Sequence, residues 1–239
     1  MIAYFLCIVA GVVAAGITAR LQRDELQTPR ALRLPLALAA AGGAVAGAYL
    51  LQLPADLAGW VAPPPPGARG DALPYGGRTV LGGILVGWVA VEIVKAKAKI
   101  REATGDAFAL PLSVALAFGR LGCLLAGCCA GVECAPGTWA IRDASGVSRV
   151  PVQAIEIAFH ALASLALVVA ARRGVGRGHR LATYVAIYAI LRFVLEEFRP
   201  HPRVLLGLTY YQVLALALFA LGSITTARRW RSAEQLRTH

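Results

Sequence analysis

The chain has 239 residues, of which 58% are hydrophobic and only 15% are charged, and its mean hydropathy is +0.63. Soluble domains average about 45–50% apolar and about 25% charged residues. The composition therefore excludes a disordered chain, a collagen-like fibre and an ordinary soluble enzyme, and it predicts an integral membrane protein. The net charge of +11 does not indicate a nucleic-acid partner, because basic residues in membrane proteins usually set the topology.

Seven stretches are apolar enough to cross a bilayer, whose hydrocarbon core needs about 20 such residues per helix. We therefore predict an all-α integral membrane protein with one polytopic domain over residues 1–239. The third stretch is short, and the fourth and sixth contain charged residues. In chain order the predicted spans cover 2–19, 34–53, 79–95, 107–129, 152–171, 181–199 and 205–226.

Lysine and arginine alternate in number from one connection to the next. The six connections and the C-terminal tail carry four, two, four, two, four, two and four of them, so 16 lie on one side of the membrane and 6 on the other. The remaining two, Arg120 and Arg192, lie inside spans. Because cytoplasmic loops are enriched in these residues, we predict that the N-terminus is outside and the C-terminus is cytoplasmic.

Ionisable side chains inside spans are costly, about 2.5–3.5 kcal/mol each on insertion scales, and therefore need partners or water. In the sixth span, Arg192, Glu196 and Arg199 lie on one helix face at spacings i, i+4 and i+7. The predicted topology places them at the same outer depth as Arg120 and Glu156. Two interpretations stay open, an ion-pair network that joins helices, or a site for an anionic phospholipid headgroup that guanidinium groups bind.

Two other ionisable residues have simpler interpretations. His160 follows Glu156 by one turn, and a lone histidine there is more often a satisfied core group than a base. Glu92 lies toward the cytoplasmic end of the third span, where a carboxylate near Lys95 can reach the interface.

A glycine- and cysteine-rich segment over 119–131 is the most unusual part of the sequence. Cys123, Cys128, Cys129 and Cys134 lie within twelve residues. No CxxC pair is present and no histidine is near in sequence, so a metal site is disfavoured. The alternatives are a bridge from Cys128 or Cys129 to Cys134, a reactive thiolate beside Arg120, and close packing of small residues.

Four segments, in the order 119–122, 150–156, 192–199 and 205–212, carry a family resemblance. They resemble the prolipoprotein diacylglyceryl transferase family, integral membrane enzymes that move a diacylglyceryl group from phosphatidylglycerol to the cysteine thiol of a lipobox. The resemblance covers most of the chain. It implies a multi-pass protein of the bacterial cytoplasmic membrane, with a phospholipid donor, a lipobox or other thiol acceptor, and no cofactor.

The resemblance also implies roles for individual residues. Arg120 and Arg199 are expected on the lipid phosphate, Glu196 is expected to orient Arg192, and Glu156 or Tyr4 to accept a proton. The implied catalytic residues are Arg120, Arg192, Glu196, Arg199, Glu156 and Tyr4, and the implied lipid-binding residues are Arg120, Gln153, Gly82 and Gly83.

Three positions depart from the family pattern. The usual His-Gly-Gly run has Leu81 in place of its histidine, and the asparagine and glutamate that follow Gly-Arg-x-Gly are Cys123 and Cys128. These departures predict a divergent member. Alternatives are therefore chemistry at the chain's own thiols, with Cys123, Cys128 or Cys129 reactive, or a non-catalytic membrane protein that binds lipid or metal.

Overall fold

A computed structural model describes residues 2–22, 28–61, 78–100, 102–137 and 139–235, with side chains up to residue 229. It is almost entirely helical. The helices are α1 (Ile2–Leu21), α2 (Arg30–Leu50), α3 (Leu53–Leu57), α4 (Val80–Lys97), α5 (Asp106–Ala126), α6 (Val152–Arg172), α7 (Arg180–Glu196) and α8 (Tyr210–Gln235).

Five helices within the described residues are long and apolar enough to cross a membrane, which confirms an all-α membrane protein. They cover Ile2–Leu21, Arg30–Leu57, Asp106–Ala126, Val152–Arg172 and Tyr210–Arg229. The other two long helices, α4 and α7, coincide with the predicted third and sixth spans. They are shorter, at 18 and 17 residues, and α4 carries three charged side chains near its end.

Within the part of the chain that the structure describes, two short antiparallel hairpins interrupt the helical pattern. One pairs β1 (Ile141–Arg142) with β2 (Ser148–Arg149), and the other pairs β3 (Arg203–Leu205) with β4 (Leu208–Thr209). The second hairpin corrects the predicted start of the last span, because Leu206 and Gly207 adopt positive φ and turn the chain before α8 begins.

The ends of two other predicted spans also move. The fourth ends at Ala126 rather than residue 129, because Gly127 adopts the left-handed conformation (φ +71°) that closes many helices. The sixth ends at Glu196, so Arg199 lies just beyond the helix and not within it.

Small residues set the closest helix contacts. A Cβ added at Gly82 of α4 would lie 2.5 Å from the carbonyl oxygen of Gly47 in α2, and one added at Gly11 of α1 would lie 2.9 Å from the Cβ of Phe118 in α5. The pairs α2–α4, α1–α5, α7–α8 and α5–α6 make the most extensive contacts. The pairing of α5 with α6, and the packing of α7 against both α5 and α8, bring the charged side chains together.

Candidate functional site: an arginine cluster beside three thiols

The carboxylate of Glu156 lies at the centre of the site. It belongs to α6, its side chain has no exposed surface, and it contacts three arginines from three other parts of the chain. The Oε2 atom is 2.9 Å from Arg120 Nε and accepts a hydrogen bond from Arg199 Nη2 at 3.1 Å, while Oε1 is 3.8 Å from Arg192 Nε. The Tyr188 hydroxyl donates to Oε1 at 3.3 Å. One buried carboxylate therefore gathers guanidinium groups from α5, α7 and the segment after α7.

Glu196 forms a second carboxylate centre at the end of α7. Its Oε2 atom lies 2.5 Å from Arg192 Nη1, one helical turn away. Its Oε1 atom lies 2.5 Å from His201 Nδ1 and accepts a hydrogen bond from the Thr209 hydroxyl at 3.3 Å. These contacts fix Glu196 from three sides, so it holds Arg192 between the two carboxylates.

The cluster carries an excess of positive charge. Three buried guanidinium groups face two carboxylates, so among these five side chains the cations outnumber the anions by one. Among the described residues, Arg199 Nε is buried without a hydrogen-bond partner. A buried donor without a partner is costly, and a phosphate oxygen is a suitable acceptor for it. The arrangement suits an anionic ligand better than a self-contained ion-pair network.

Three cysteines lie beside the arginines. The Sγ atoms of Cys123, Cys128 and Cys129 are all within 4.8 Å of one another. Arg120 is close enough to interact electrostatically with Cys123 and Cys129, and Arg199 with Cys129. All five cysteines of the chain are free, so the bridge to Cys134 is not formed in this structure.

Gln153 connects this cluster to a neighbouring cavity. Its side-chain amide is buried and donates a hydrogen bond to the carbonyl oxygen of Cys128 at 2.8 Å. The same residue lines a cavity of about 380 Å³ between the end of α5 and the β1–β2 hairpin, where Leu124, Gly127, Arg142 and Asp143 also contribute. Gln153 therefore lies between the thiols and an opening at this end of the helices.

Tyr4, also expected at the site, lies near the thiols. Its ring packs on α5, where a Cβ added at Gly122 would lie 3.1 Å from Tyr4 Cδ2. Its phenol is close enough to interact electrostatically with all three clustered cysteines. The structure therefore brings Tyr4 to the thiols, while none of its described hydrogen bonds or ion pairs joins it to Glu156.

Gly82 and Gly83 belong to the contact between α4 and α2. Both are buried there, and an added Cβ at Gly83 would lie 3.0 Å from the carbonyl oxygen of Ala44. Leu81 is buried beside them. Packing of the two helices accounts for both glycines, and their part in lipid binding stays a prediction.

The two isolated ionisable residues have local partners. His160 is completely buried, and its Nδ1 atom is 2.9 Å from the Tyr184 hydroxyl, as a core histidine requires, although its Nε2 atom has no hydrogen-bond partner among the described residues. Lys95 Nζ lies 2.8 Å from Glu92 Oε1, which confirms that these two residues form a pair near the end of α4.

Sequence reasoning missed the residues that complete the carboxylate contacts. His201, Tyr188 and Thr209 have no charge or spacing pattern that marks them, since each depends on how α6, α7 and the β3–β4 hairpin pack. The position of His201, five residues after Glu196 and directly after a proline, is the one available signal. It indicates a turn that returns the imidazole toward the helix end.

The sequence profile of the prolipoprotein diacylglyceryl transferase family matches residues 1–228, nearly the whole chain. The chain belongs to this family. The resemblance carried by the four segments is therefore confirmed, and the arginine cluster, which three of those segments form, lies within the matched region.

Several curated relatives carry names from the prolipoprotein diacylglyceryl transferase family. A phosphatidylglycerol–prolipoprotein diacylglyceryl transferase 2 of Clostridium perfringens is 32% identical over 138 residues, which cover 55% of this chain and 54% of the relative. A phosphatidylglycerol–prolipoprotein diacylglyceryl transferase of Mycobacteroides abscessus is 30% identical over 233 residues, which cover 86% of this chain and 66% of the relative. The matched part is thus about half the length of the Clostridium perfringens protein.

Proposed function

We propose that the chain is a lipid-modifying transferase that moves a diacylglyceryl group from a phospholipid to a cysteine thiol. The observation that carries the proposal is the convergence of Arg120, Arg192 and Arg199 on the buried carboxylate of Glu156. The names of the relatives specify phosphatidylglycerol as donor and a prolipoprotein as acceptor, and we extend both to this chain. A lipobox cysteine is the corresponding acceptor thiol.

The same proposal includes a topology of seven spans. The helices α4 and α7 occupy the positions of the third and sixth predicted spans. Charged residues shorten the apolar stretch of each helix, and these residues have buried or ion-paired partners. With the N-terminus outside, the arginine cluster lies in the outer half of a bacterial cytoplasmic membrane. This depth suits a site that a phospholipid enters laterally from the outer leaflet.

The transfer is a substitution at the glyceryl carbon. The acceptor sulfur forms a C–S bond as the C–O bond to phosphate breaks, and the bonding electrons leave with glycerol phosphate. The thiol proton ends on the departing phosphate monoester, so no further reactant is needed. Because negative charge grows on the leaving phosphate, guanidinium groups placed on it stabilise the transition state more than the bound substrate.

The contacts suggest a division of roles. Arg120 and Arg199 bind the phosphate, while Glu196 orients Arg192 between the two carboxylates. Glu156 is saturated by three cations, which suits it to hold them in place better than to accept a proton. Tyr4, beside the thiols, is then the better candidate for passing the proton.

A second candidate is transfer onto the chain's own cysteines. The position of Cys123 and Cys129 within electrostatic range of Arg120 favours it, since a thiol there would reach a lipid bound by the same arginine. In this version the lipid group becomes attached to the protein itself, by the same bond changes.

One experiment tests both candidates. The purified chain is incubated with phosphatidylglycerol labelled in its acyl chains and with a lipobox peptide, and peptide, lipid and intact protein are analysed by mass spectrometry. We expect one diacylglyceryl group on the peptide, and none on a matched peptide whose cysteine is replaced by serine. A mass increase on the protein alone supports the second candidate, and no transfer to either thiol by the folded protein overturns the proposal.

A further inference from the structure

The three clustered thiols have the geometry of a metal site that their sequence spacing does not suggest. Cys123 lies in the last turn of α5, and Cys128 and Cys129 follow the helix end at Gly127. Their Sγ atoms lie within 4.8 Å of one another. Tetrahedral zinc with Zn–S bonds of about 2.3 Å requires sulfurs about 3.8 Å apart. Closure onto the ion therefore needs small side-chain movements and no change of fold.

The backbone around the thiols is held in place before any ion binds. Cys129 has φ +59°, a left-handed conformation that is unfavourable for a non-glycine residue. The amide of Cys128 donates to the carbonyl oxygen of Cys123 at 3.1 Å, and Gln153 donates to the carbonyl oxygen of Cys128 at 2.8 Å. These contacts fix the peptide units between the helix end and Cys129, so the three sulfurs converge without further ordering.

The surroundings match the charge of a thiolate-bound ion. Zinc with three thiolate ligands carries one net negative charge, and Arg120 and Arg199 are near enough to compensate for it. Cys129 is exposed, whereas Cys123 and Cys128 are half-buried, so an ion has a route to the site. Thiolate ligands favour zinc and copper(I) over magnesium, calcium or manganese.

We propose that Cys123, Cys128 and Cys129 bind one zinc ion through three thiolates and leave its fourth position open to an external ligand. The site does not depend on the proposed transfer reaction, because metal content is measured without lipid or acceptor. The other two cysteines are outside this group of three sulfurs: Cys7 is buried in α1, where it packs against Gly122, and Cys134 lies in the segment that pairs with β2. They provide matched controls within the same chain.

Metal analysis of the purified full-length chain tests the proposal. We expect about one zinc per chain after dialysis, and, after exchange with Co²⁺, the intense near-ultraviolet band of sulfur-to-cobalt charge transfer. Cys123→Ser, Cys128→Ser and Cys129→Ser are each expected to weaken binding by about tenfold or more. Cys7→Ser and Cys134→Ser are expected to bind as the unaltered chain does.

Three results would overturn this assignment. One is Co²⁺ bound without the thiolate band, a measurement on the unaltered chain that does not require any variant to fold. The second is copper in place of zinc in the purified protein. The third is a disulfide between two of the clustered cysteines in protein isolated under non-reducing conditions with free thiols blocked during lysis.

Discussion

Arg120 Nε lies 2.9 Å from Glu156 Oε2, and this contact joins α5 to α6 within the helix bundle. Both side chains are buried, and Glu156 has no exposed surface at all. Removal of one partner from a buried ion pair leaves the other charge uncompensated, which costs much more than an exposed pair contributes. Glu156 is therefore the structural centre of the site, and it also lies next to the arginines that we propose bind the lipid phosphate.

Replacement of Glu156 should destabilise the protein strongly. In Glu156→Gln, three guanidinium groups lose their shared anion, and we expect a loss of about 3–5 kcal/mol in the free energy of unfolding. Thermal unfolding in detergent measures the change. Glu133→Gln is the matched control, because the Glu133 side chain is 69% exposed and its ion pair with Arg149 should contribute little. Equal unfolding temperatures for the two variants would contradict a central role for Glu156.

Gly82 should be required for helix packing and not for binding a charged group of the substrate. A Cβ at Gly82 would lie 2.5 Å from the Gly47 carbonyl oxygen, so Gly82→Ala should push α4 from α2 and cost about 1–3 kcal/mol. At Gly42, by contrast, an added Cβ meets no atom within 4 Å. Gly42→Ala should therefore leave the unfolding temperature unchanged or raise it slightly. A normal unfolding temperature for Gly82→Ala, combined with weaker lipid binding, would favour a direct role in lipid binding instead.

Hydropathy and charge predicted most of the helices, because spans and their flanking residues are local properties of the sequence. Two exceptions are local backbone turns, at Gly127 and at Leu206–Gly207, where an apolar sequence continues after the helix has ended or before it has begun. Hydropathy does not register a positive φ, so the predicted spans continued through both turns.

The site was predictable only in part. The spacing of Arg192, Glu196 and Arg199 indicated one helix face, although Arg199 proved to follow the helix end. The contact of His201 with Glu196 and the convergence of Cys123 with Cys129 depend on turns after α7 and α5, and no periodic pattern marks them. For the same reason, the absence of a CxxC pair was a poor guide to the distances between the thiols.

The β1–β2 hairpin should lose order in acid. The Ser145 hydroxyl and the Arg149 guanidinium hold the pKa of the Asp143 carboxyl well below its usual range, with help from the backbone amides of Val147 and Ser145. A carboxyl whose folded pKa is lowered contributes stability that is present above its unfolded pKa of about 3.9 and is lost as the pH falls toward the folded value.

Hydrogen exchange over residues 140–150 measures this effect. After correction for intrinsic exchange rates, we expect constant protection from pH 7 to about pH 5 and a decline below about pH 4. Asp143→Asn should show reduced protection already at pH 7. Protection in Asp143→Asn equal to that of the unaltered chain at neutral pH would show that the carboxylate does not order the hairpin.

The proposed topology predicts which loops face outward. In a chain whose five native cysteines are replaced, Ala144→Cys and Arg173→Cys each place one exposed thiol in successive connections, before and after α6. In cells whose cytoplasmic membrane is accessible from its outer face, a membrane-impermeant maleimide should label Ala144→Cys. The same reagent should label Arg173→Cys only after lysis. The positive-inside rule predicts this difference in labelling, because it places the connection before α6 outside and the connection after α6 in the cytoplasm. The reverse labelling would invert the proposed orientation.

The most direct test is the transfer rate of arginine variants with labelled phosphatidylglycerol and a lipobox peptide. Removal of one group that stabilises transition-state charge typically lowers the rate by about 10²–10³-fold, and we expect this loss for Arg120→Ala and for Arg199→Ala. The exposed Arg173→Ala should transfer at the rate of the unaltered chain. Unchanged transfer by Arg120→Ala and Arg199→Ala, in protein that is folded at the assay temperature, would contradict an arginine site for the lipid phosphate.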